Sequence, residues 1–269
     1  MNSNPDSLVY SAITISSAVI IIIVNSVEIH ILRKRTSKRS YERFLWSLSC
    51  ADLLLGLFRL ANNVSLFLLP LSTQRQNRPI ILSVYLYFLS VSVCHLLVIS
   101  IDRLHAVAFP IHHKVHECVR ITRYKIILSW IPANTAVPGF IAYYFVKKLN
   151  GDEFRAIMGA VMVYIAVIDS IAYFLIYTLV AYFIYRKKRI GSQNEQLRQQ
   201  IKVQRRGLIL CVCTVLAFIT FYLPYAVIGI IMKDIDKIPR WVFEMAMFGP
   251  AMNSIVFLAQ EFLKKFHGN

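Results

Sequence analysis

Seven apolar runs separated by short polar stretches account for most of this 269-residue chain. They cover roughly residues 8–32, 44–69, 80–101, 121–146, 157–185, 207–232 and 242–259. Each is close to or above the roughly 20 residues that a helix needs to cross the hydrocarbon core of a bilayer. Strands of a membrane barrel would alternate apolar and polar positions, and these runs do not. Backbone amides cannot face lipid unpaired, so the runs must be helices. The pattern predicts an all-α membrane protein: a seven-transmembrane helix bundle forming a single domain over residues 1–269. Residues 1–7 are too short and polar to act as a signal peptide, so the first run is expected to remain as a span.

Composition agrees, with 57% hydrophobic and 16% charged residues, and the placement of charge adds an orientation. Of the thirty Lys and Arg, twenty-one fall in segments 33–43, 114–125, 186–206, at Arg103 and near the C-terminus. Eight fall in the alternate segments. Positive residues stay on the cytosolic side, which predicts a multi-pass membrane protein with its N-terminus outside and its C-terminus cytosolic. The net charge of +16 is then a topology signal facing anionic membrane lipid. No soluble domain carries it, so nucleic acid is not an expected partner. Cys50, Cys94, Cys118, Cys211 and Cys213 lie within runs or on the cytosolic side, so no extracellular disulfide is predicted.

Polar residues inside the runs are the candidate chemistry, because ionisable groups in lipid are costly and usually face the bundle interior. Asp52 lies in the second run, Asn25 in the first, Ser92 in the third and Asn253 in the seventh. Arg59 follows Asp52 by seven residues, on the same helical face two turns further out, with Asn62 beyond it. Two readings of Arg59 stand. It is a cationic anchor for an acidic ligand in a cavity lined by Tyr85, Tyr222 and Tyr225, or it is the internal partner of Glu244. His112, His113 and His116 sit in a basic loop; solvated side chains account for them as well as a metal does.

The third run ends in Ser100-Ile-Asp102-Arg103-Leu104, with Pro110-Ile111 seven and eight residues past the Arg. Together with Leu48-Ser-Cys-Ala-Asp52, Phe218-Ile-Thr-Phe221-Tyr222-Leu-Pro224 and Asn253-Ser-Ile-Val-Phe257, this stretch resembles the motifs of the rhodopsin-like G-protein-coupled receptors. The resemblance extends from Asn25 to Glu261-Phe-Leu-Lys-Lys-Phe266, which is similar to the family's short amphipathic eighth helix. It implies a receptor that senses an extracellular ligand in the bundle cavity and activates a heterotrimeric G protein. Asp102, Arg103, Pro110, Ile111, Tyr177, Phe218, Tyr222, Pro224, Asn253 and Phe257 would serve coupling and switching. Asp52, Ser92 and Asn253 would surround an allosteric sodium ion, or else form a hydrogen-bonded polar knot. No other cofactor and no enzymatic activity is implied.

The chain departs from the family at several positions. Leu104 replaces the Tyr after Asp-Arg, Tyr222 replaces a Trp, and Ser254 and Phe257 replace Pro and Tyr. Gln204 stands where some members carry an acid that restrains the Arg, which predicts ligand-independent signalling. Tyr85 and Met247 occupy the places of an amine-binding acid and a retinal-binding Lys, so neither a biogenic amine nor retinal is the expected ligand. A signalling-deficient seven-helix scaffold is the nearest alternative. A transporter or channel would show inverted repeats or broken helices, and the sequence has neither.

Overall fold

The computed structural model describes residues 5–35, 40–68, 71–116, 119–147, 151–190 and 239–267, and individual residues between 209 and 231. They form α1 (Pro5–Lys34), α2 (Ser40–Leu68), α3 (Leu71–Ala108), α4 (Pro110–His116), α5 (Val119–Lys147), α6 (Gly151–Ile190), α7 (Val215–Tyr225) and α8 (Arg240–His267). Seven of these correspond to the seven apolar runs, and α4 is a two-turn helix in the connection after α3. Among the described residues, α1, α2, α3, α6 and α8 are each long and apolar enough to cross a membrane.

Local chemistry sets several helix ends. Pro5 and Pro110 open α1 and α4, where the missing amide proton costs nothing and the fixed φ is already helical. Arg33 and Lys34 close α1 and Lys147 closes α5, placing cations beside the unpaired carbonyls of the last turn.

Two sequence expectations change. Residues 70–79 were expected as an outer loop, yet α3 begins at Leu71 and only residues 69–70 separate it from α2. Hydropathy marks the part of a helix that lies in hydrocarbon, whereas the helix itself continues while its backbone bonds close. At 38 residues α3 is about 57 Å long, nearly twice a bilayer core. The separate eighth helix is also absent: α8 runs unbroken through Glu261 and Phe266 to His267. No Gly or Pro follows Pro250 to stop it before residue 268.

The helices are apolar outside and selectively polar inside. Ile20, Ile23, Leu54, Leu57, Ile127, Ile168 and Phe174 are exposed on the outer surface, as lipid requires. Buried Leu48, Leu89, Leu96, Tyr173, Met247 and Phe257 build the centre. α3 is the axial element, touching α2, α4, α5 and α6, while α1 packs on α2 and α8. Gly56 permits the close approach of α1 and α2: a Cβ there would lie 2.9 Å from Ile21 Cγ2.

Candidate functional site

Polar side chains gather at three levels of the bundle. At the end where α3 meets α4, Arg103 donates to the carboxylate of Asp102, and its guanidinium carbon lies 5.2 Å from the centre of the Tyr41 ring. Asp102 also accepts from Lys125 Nζ of α5 at 2.7 Å and faces His113 Nε2 of α4 at 3.4 Å. The carboxylate is buried, 1% exposed, and meets three basic side chains from three helices. The Tyr177 hydroxyl of α6 lies 3.3 Å from Ser100 Oγ, three residues before Arg103. Leu104 packs against the cluster of Val107 and Val180, as Tyr177 does, so it belongs to the apolar contact between α3 and α6. Pro110 opens α4 and leaves Ile111 78% exposed, free to meet a partner surface. Phe218 and Gln204 lie outside the described residues.

In the middle, Asp52 is fully buried and accepts from Ser92 Oγ and, at 3.4 Å, from Asn253 Nδ2. Asn25 donates through Nδ2 to the Ile21 carbonyl at 2.8 Å, which turns its Oδ1 toward Ser254 Oγ, also at 2.8 Å. Ser254 Oγ contacts the carboxylate of Glu28 as well. The Asn253 Oδ1 is buried with no hydrogen-bond partner. A carboxylate, a hydroxyl and an unsatisfied amide oxygen fit a hard cation of the sodium type, which takes oxygen ligands. Beside this layer, His95 bridges Ser47 at 2.8 Å and Ser129, and Trp130 Nε1 donates to Ser47 at 3.2 Å. That network ties α2, α3 and α5 together.

At the opposite end, Arg59 of α2 donates to Glu244 of α8, and Thr14 of α1 donates to the other Glu244 oxygen at 3.0 Å. Arg59 is 1% exposed, and its Nε and Nη1 have no partner. Of the two readings of Arg59, the internal ion pair with Glu244 is therefore formed. Asn62 Nδ2 lies 3.5 Å from the Tyr85 hydroxyl, and buried Tyr222 and Tyr225 belong to the same core. A cleft of about 840 Å³ opens on the far side of Glu244, between α1, α7 and α8. Tyr10, Ser17, Phe221, Trp241 and Phe248 line it. Arg59, Asn62, Tyr85, Tyr222 and Tyr225 do not; wall residue Glu244 is bonded to that set through Arg59.

Between these levels, α7 and α8 interlock. A Cβ on Gly249 would lie 2.4 Å from Tyr222 Cε2, so the glycine lets the Tyr222 ring rest on the backbone of α8. Phe221 meets Phe248 and Tyr225 meets Phe243, each at 6.1 Å between ring centres. Pro224 lies in this interlocked turn of α7, partly buried. Phe257 is 1% exposed, with the Arg35 guanidinium carbon 5.7 Å from its ring centre. Arg35 in turn donates to Glu42 and to Glu261.

Sequence reasoning missed Lys125, Glu28 and Arg35, and it named His113 only within the loop histidine cluster, not as a neighbour of Asp102. The signal for Glu28 was present, an acid inside the first apolar run of the same kind as Asp52. Lys125 and His113 gave none, being ordinary members of a basic loop. Compared with known proteins, residues 25–256 match the model of the family described as 7 transmembrane receptor (rhodopsin family). No curated protein matches the chain.

Proposed function

The chain belongs to the rhodopsin family of seven-transmembrane receptors, and from that premise we propose that it senses an extracellular ligand and activates a heterotrimeric G protein. The observation that carries this reading is the shared, buried Asp102 carboxylate beside Arg103, with exposed Ile111 eight residues further on in the first turn of α4. A guanidinium held by its neighbour, with Tyr177 on the facing helix, is a two-state element that a ligand can bias. In the resting arrangement Asp102 holds Arg103. In the active one Arg103 turns toward Tyr177 and the G protein, while Pro110 and Ile111 of α4 dock against it. The receptor sits in the plasma membrane with its N-terminus outside, so this end faces the cytosol and the Arg59–Glu244 end faces the ligand.

The ligand is neither a biogenic amine nor retinal. The Arg59–Glu244 pair supports one that competes for Arg59 and is therefore acidic. Asp52, Ser92 and Asn253 hold a sodium ion that favours the resting state; the unsatisfied Asn253 oxygen supports this. A bound sodium ion would supply positive charge to Asp52, and the residues here only orient their oxygens toward it.

One observation favours a second reading, a seven-helix scaffold without coupling: Leu104 packs against α6 and Phe257 lies beneath Arg35, so neither carries the polar group usual at its place. G-protein activation in cells separates the two. Wild type should signal, and Arg103→Ala at equal surface expression should not. A signal that survives Arg103→Ala rejects the proposed switch, and silence of the wild type across G-protein reporters favours the scaffold.

A further inference from the structure

The middle layer holds more negative charge than one carboxylate. Glu28 of α1 is 1% exposed, and its carboxylate accepts from Ser254 of α8. Asp52 meets Ser92 and Asn253. Among the described residues, neither carboxylate meets a Lys, Arg or His. Ser254 and Asn253 are adjacent on α8, so one turn of that helix links both acids. The place of the family's proline is taken by the residue whose hydroxyl reaches Glu28.

Counting protons shows what this layer lacks. Ser254 has one hydroxyl proton but two acceptors within reach, Asn25 Oδ1 and the Glu28 carboxylate, so one of them receives nothing. Glu28 Oε1 and Asn253 Oδ1 are also buried without a donor. Buried acceptors are normally satisfied, and buried charges are paired or hold metal. A proton on Glu28 would satisfy one of these oxygens and leave Asn253 as it is. A cation among them would serve all.

We propose that Glu28 is a second acidic ligand of the cation pocket, so that Asn25, Glu28, Asp52, Asn253 and Ser254 join Ser92 of α3 in holding a hard cation between α1, α2 and α8. This rests on the sodium reading of Asp52 and extends it: the pocket carries two carboxylates and so binds its ion more tightly than Asp52 alone. Four of the six residues come from α1 and α8, so the ion also ties these two helices at mid-membrane.

Thermal unfolding of the purified receptor in nanodiscs tests this, with sodium chloride titrated against choline chloride at equal ionic strength and at neutral and alkaline pH. Wild type should show a saturable rise in its unfolding midpoint with sodium. Glu28→Gln should raise the half-saturating concentration by roughly tenfold or more, Glu28→Asp should fall between, and Asp52→Asn should abolish the effect. Saturation by calcium below the sodium concentration would support the same pocket with a divalent occupant. Glu28→Gln and Glu28→Asp both saturating as wild type does would remove Glu28 and leave the Asp52 site standing. Wild type indifferent to sodium and calcium at both pH values would overturn the pocket altogether. Because the readout is unfolding, none of these outcomes depends on G-protein coupling.

Discussion

Lys125 of α5 donates to the Asp102 carboxylate at 2.7 Å, on the same oxygen that faces His113. Lys125 therefore competes with Arg103 for the charge that would hold the proposed switch. Removing Lys125 leaves more of Asp102 for Arg103, so Lys125→Met should lower ligand-independent signalling. Lys125 is about one third exposed, so the change should stay within about fivefold, the scale of a partly solvated pair near 1 kcal/mol. Asp102→Asn should do the reverse. Basal reporter activity at matched surface expression reads both, and a rise in Lys125→Met would make the lysine part of the restraint instead.

The Arg59–Glu244 pair should behave as a buried ion pair. Arg59 is 2% exposed at its side chain, so Glu244→Gln leaves a guanidinium without its counter-charge. A loss of about 3–5 kcal/mol is expected for either single change. Replacing both together, Arg59→Met with Glu244→Met, should cost less than either alone. A double-mutant cycle on thermal unfolding gives the answer, and simple additivity would deny the coupling.

Gly249 leaves no room for a methyl group. Its Cβ would meet three atoms of the buried Tyr222 ring at 2.4 to 3.1 Å, and the ring is held by its own neighbours. Gly249→Ala should destabilise by about 1–3 kcal/mol through overpacking. In a Tyr222→Ala background the same change should cost much less. Equal costs in both backgrounds would mean that the ring is not the obstacle.

Arg35 bridges Glu42 of α2 and Glu261 of α8 from the end of α1, with about a quarter of its side chain exposed. Arg35→Ala should therefore cost less than about 1 kcal/mol globally. Local loosening should be clearer, because the last turns of α8 lose their tether. Amide hydrogen exchange at residues 258–266 should quicken while the unfolding midpoint barely moves; unchanged exchange there would show that α8 is held by its apolar face alone.

The number and class of elements were legible because lipid imposes them: seven apolar runs admit only helices. Helix ends were less so, since residues 71–79 are polar yet helical, and hydropathy reports the solvent around a helix more than the helix. Asp52, Ser92 and Asn253 could be placed because a polar residue in an apolar run stands out and the family supplies the grouping. Glu28 stands out equally, but no familiar motif contains it. Arg59 and Glu244 were legible as opposite charges in two runs of similar depth. Lys125 and His113 were not, because they reach Asp102 across 23 and 11 residues of chain and only the packing of α3, α4 and α5 brings them there. The cleft by Glu244 likewise exists only once α1 leans on α8.

Pro250 lies inside α8, directly after the glycine under Tyr222, and four residues before the serine that stands where relatives carry their proline. It withdraws one backbone donor from the carbonyl of Ala246. The weak point of the helix thus moves four residues, about 6 Å, toward the Arg240 end of α8, and coincides with the Tyr222 contact. A tilt of α8 would therefore pivot at the tyrosine contact. The longer arm of the helix, from Ala251 to His267, carries Asn253, Ser254, Phe257 and Glu261 as one rigid piece, so a tilt set by Tyr222 would reach the mid-membrane oxygens and the Arg35 tether in a single stroke.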